Sequence, residues 1–167
     1  MITFSTDIVI KGKKAQMYQE LSNKYGFLNV DIYMMSGVLG FINHQKDVQD
    51  NDNSITVNIP RNVLQSRSER IDFLYQIVTL SEEIDLNSEK AMKLAFEENS
   101  ITNPKKMYKR ELFDDYAIGG IDILYNLLSD VVYDKQVDNI KDILDKFYEQ
   151  SNLGEKSIED ILEEEGL

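Results

Sequence analysis

The stretch VDIYMMSGVLGFIN, Val30 to Asn43, is apolar around nearly its whole circumference when coiled at helical spacing. Ile32, Tyr33, Met34, Met35, Val38, Leu39, Phe41 and Ile42 leave it no face for water. A helix of that kind has to be enclosed, so the rest of the chain must supply its wrapping. Gly37 and Gly40 within it each cost about 1 kcal/mol relative to Ala, which points to a neighbouring backbone that comes close there. Asn29 is placed to cap it. The 167 residues are enough for one core of this type and too few for two full domains.

The wrapping is legible as helices around a small β element. Ile2 to Ile10 alternates in part (Ile2, Phe4, Ile8, Ile10) and reads as a strand stopped at Lys11-Gly12; Ser54 to Ile59 alternates Ile55, Val57 and Ile59 up to Pro60 and reads as its partner. Lys13 to Tyr25 carries Met17, Tyr18, Leu21 and Tyr25 at helical spacing, with Gly26 positioned to end it. From Ser68 a helix places Ile71, Leu74, Tyr75 and Val78 on one face, and Asn87 or Ser88 caps another through Phe96. Asn99 to Pro104 is a break. The longest periodic stretch, Tyr108 to Tyr133, sets Leu112, Tyr116, Gly120, Ile123, Leu127 and Val131 on one stripe. Gln136 to Gln150 repeats the pattern, and Ser157 starts a last short helix with Ile158, Ile161 and Leu162 over an acidic face. The expected fold is mainly α, a compact helical domain over residues 1–154 with a two-stranded β element, followed by an acidic short helix or tail at 155–167.

Charge and residue inventory exclude several functions. Eighteen Lys plus Arg against thirty Asp plus Glu give a net charge of −12, which repels nucleic-acid phosphates and anionic membranes. Residues 1–80 are balanced, with eight of each sign; residues 81–167 hold ten basic and twenty-two acidic residues and carry the whole excess. With no cysteine and the single His44, thiolate zinc sites, cysteine nucleophiles and paired imidazoles are all out of reach. The opening MITFSTDIVI has neither the basic start nor the apolar run of a secretion signal, and no window reaches the ~18 apolar residues of a membrane span, so the cytoplasm is the expected compartment.

The candidate constellations resolve the same way. A restriction-type nuclease site needs an acid-x-Lys pair, and no Asp-x-Lys or Glu-x-Lys occurs. Asp114 and Asp115 diverge by about 100° on a helix and read as solvated surface. Asp50 to Ser54 spaces oxygens as a calcium loop does, but Ile55 stands where the turn needs Gly and Arg61 where the closing Glu belongs. His44 ends an apolar helix and reads as a cap. No glycine pattern cradles phosphate. Lys105, Lys106, Lys109 and Arg110 are followed at once by Glu111, Asp114 and Asp115, which makes a salt-bridged surface. No catalytic residue, cofactor or metal is expected.

Three blocks together resemble a known family. FLNVDIYMMSGVLGF at Phe27–Phe41, IDFLYQIVTLSEEID at Ile71–Asp85 and LFDDYAIGGIDIL at Leu112–Leu124 are similar in order and spacing to the small accessory proteins of bacterial DNA phosphorothioation (Dnd) systems. Ile118 departs from that pattern, which has Asn there. Such proteins are encoded beside anti-phage defence genes that include nucleases and SMC-like ATPases. The resemblance implies a non-catalytic accessory subunit binding those larger components, and it supplies no catalytic residues. The alternative is an acidic phage-type inhibitor or DNA mimic that fills a basic channel. The partner surface is expected around Tyr116, Gly119 and Gly120, whose adjacent glycines need a compensating close contact, or on the Ile158, Ile161, Leu162 stripe. For Tyr116, Gly119 and Gly120 an internal contact is favoured, since mid-chain apolar helices usually pack on their own domain, while the stretch 155–167 docks either on its own domain or on a partner.

Overall fold

The computed structural model describes residues 2–82, 88–96 and 104–129. The helices expected at 136–150 and from Ser157, and the boundary at 154–155, lie outside them. The chain divides into two compact units, Met1–Tyr125 and Asn126–Leu167, and the architecture that follows is that of the first. It is mainly helical with a small two-stranded antiparallel sheet.

The first strand, β1 (Ile8–Lys11), pairs with β2 (Thr56–Ile59) in the register Ile8 to Ile59 and Ile10 to Val57. It is shorter than the alternation of Ile2 to Ile10 suggests. Its partner ends at Ile59 because Pro60 has no N–H to offer a ladder and instead starts α3 (Arg61–Ser66), so residues ahead of Ile8 have no strand beside them. Ile2 and Phe4 are buried all the same. The six-residue α3 carries a single buried residue, Leu64, too weak a pattern to read from sequence.

Helix α1 (Gly12–Tyr25) buries Ala15, Tyr18 and Leu21 and ends at Gly26, whose φ of 72° lets its N–H reach the Ser22 carbonyl. Helix α2 (Asn29–Ile42) is the enclosed element: Val30, Ile32, Tyr33, Ser36 and Leu39 are buried within it. Asn29 does not cap it. The N-cap is Leu28, whose extended carbonyl accepts the Asp31 and Ile32 N–H groups, while Asn29 is already helical and its side-chain oxygen is buried without a hydrogen bond.

The end of α2 is made by His44. Gln45 N–H bonds the Gly40 carbonyl and His44 N–H the Phe41 carbonyl, the paired bonds of a Schellman cap, with His44 at φ 51° in the left-handed position that glycine usually fills. Its capping role is thus a backbone role. His44→Gly should raise stability by about 1 kcal/mol by removing the left-handed penalty of a side chain; thermal unfolding of the variant would show an unchanged or lower Tm if the cap were not strained.

Helices α4 (Ser68–Glu82) and α5 (Ser88–Phe96) pack on each other, and α4 also packs on α2. The long α6 (Pro104–Ser129) begins with proline at its first turn, where the missing N–H costs nothing. It buries Leu112, Phe113, Tyr116, Ala117, Ile118, Ile121 and Leu124. No single helix among the described residues is long and apolar enough to cross a membrane.

Candidate functional site

The two glycine pairs meet. A side chain on Gly120 would run into the Ser36 carbonyl and lie 2.9 Å from the Gly40 Cα, and one on Gly40 would meet the Tyr116 carbonyl. Gly119 faces the backbone of Gln45 and Lys46, and Gly37 faces the Phe113 ring. The close contact that Gly119 and Gly120 require is therefore with α2 and the loop after it. Tyr116, Gly119 and Gly120 are buried and present no surface to a partner. Ile158, Ile161 and Leu162 lie outside the described residues.

Because Gly119 has no side chain, the loop at Gln45–Asp47 lies directly on α6. Asp47 N–H bonds the Asp115 carbonyl, Lys46 Nζ sits 4.7 Å above the Tyr116 ring and bonds Glu82 at 2.7 Å, and Tyr116 donates its hydroxyl to the same Glu82. Lys14 of α1 pairs with Asp47 at 3.2 Å and with Asp122. Burial, then the Glu82 charge, push the Tyr116 phenol well above its ordinary value.

A second polar group was not visible in the sequence. Tyr33 of α2 donates to Asp114 Oδ1 at 2.6 Å and so accepts from Tyr75 of α4 at 2.8 Å; Arg110 Nε donates to Asp114 Oδ2 at 3.3 Å. Asp114 is thus not the solvated residue its neighbourhood in sequence implies. The rings of Tyr33 and Tyr75 flank Phe113 at centroid distances of 5.2 and 5.1 Å. Burial first, and the nearby Asp114 charge second, raise both phenols, so the chain of hydroxyls stays protonated and fixes the packing of three helices.

Asp114 itself is raised by burial, against the opposing effect of Tyr33 and Arg110. In the unfolded chain it ionises near its ordinary 3.8, and in the folded protein at higher pH. The native state then holds the proton more tightly, so the charge costs stability that is retained in acid and lost as pH rises through the folded value. Asp114→Asn removes this titration, and its Tm relative to the parent should climb as pH rises from below 3.8 through the higher folded value. A difference that stays flat as pH rises from below 3.8 would contradict the assignment.

The basic cluster also departs from a surface reading. Lys109 is only 3% exposed and donates to the Ala95 carbonyl in the last turn of α5, while Arg110 reaches Asp114, Thr6 Oγ1 and the Asp7 carbonyl. No group of three or more metal-binding side chains occurs among the described residues.

Several large apolar side chains also face solvent. Phe73 and Ile77 on α4 are 59% and 37% exposed, and Met92 and Phe96 on α5 are 52% and 51% exposed. Each pair is four residues apart, on one side of its helix. In IDFLYQIVTL the apolar arc is wider than one buried face, the signal by which the sequence could have given Phe73 and Ile77 away. No family model, no curated protein and no solved structure matches the chain.

Proposed function

We propose that this chain is a non-catalytic accessory subunit that binds a larger protein through the outer side of α4 and α5. The observation that carries this reading is the exposure of Phe73, Ile77, Met92 and Phe96 on two helices that pack on each other. Large apolar side chains grouped in this way are a common mark of a protein–protein surface. The resemblance to the Dnd accessory proteins suggests the partner: a nuclease or SMC-like ATPase of a bacterial anti-phage defence system. The acidic stripe with Ile158, Ile161 and Leu162 is a second contact in this proposal, suited to a basic groove.

The test is co-expression with the products of neighbouring genes and purification through one tagged component. Co-elution is expected, and Phe73→Glu with Phe96→Glu should reduce it at least about tenfold with Tm nearly unchanged, because exposed positions bear little of the fold. Failure to co-elute with any of those components would remove the accessory role. The net charge of −12 favours a second reading, an inhibitor or DNA mimic. That reading requires binding to a basic nuclease that falls steeply with salt and survives Phe73→Glu.

A further inference from the structure

We draw no further inference here: the strongest candidate, the exposed apolar patch of Phe73 and Ile77 on α4 with Met92 and Phe96 on α5, belongs to the site already described, and nothing in the structure shows what covers it.

Discussion

Gly120→Leu should abolish or nearly abolish stable folding. Ordinary overpacking costs about 1–3 kcal/mol because side chains can give way. At Gly120 the obstacles are the Ser36 carbonyl and the Gly40 backbone, so relief requires α2 and α6 to separate and strip the burial around both. The loss is then a large part of the about 5–15 kcal/mol that stabilises a typical domain, and Tm should fall by about 10 °C or more. Gly26→Ala is the comparator. Gly26 is exposed and at positive φ, with nothing within 4 Å of the new Cβ, so the change should cost only about 1 kcal/mol. Equal losses at the two positions would show that the α2–α6 crossing gives way to a side chain at little cost.

Phe113→Ala is expected to cost about 3–5 kcal/mol, the range for emptying a fully enclosed aromatic site. Its ring lies between Tyr33 and Tyr75, and it fills the space that Gly37 leaves open. That geometry makes a sharper prediction about the pair. In the parent, Gly37→Ala should destabilise, because its Cβ would enter the ring. In the Phe113→Ala background the same change should stabilise by about 1 kcal/mol, the helix preference of Ala over Gly. A double-mutant cycle by chemical denaturation reads the coupling directly, and additive effects would mean that the two residues do not share that space.

These two sites also show what a sequence can and cannot reveal. The enclosure of α2, the stop at Gly26 and the need for a close approach at Gly119–Gly120 follow from local pattern and backbone cost. Their mutual contact does not, because periodicity places a residue on a face without saying which helix that face meets. For the same reason Asp114 beside Asp115, and Lys109 within a basic run, look like surface until Tyr33 and Ala95 are brought against them by the fold. Phe73 and Ile77 present the converse difficulty. The wide apolar arc of α4 shows that some of it exceeds one buried face, without saying which of its residues face outward.

The glycine crossing has a consequence for synthesis. Gly120 follows Gly40 by 80 residues, so α2 is made long before the backbone that covers it. The loop that joins them must close before either helix gains its contacts, which slows folding relative to a bundle of sequential neighbours. During that interval a helix apolar on nearly every side stands uncovered on the nascent chain, a hazard for association with other chains. Output of native protein should accordingly depend on chaperone supply and on temperature during expression more than on the stability of the finished fold.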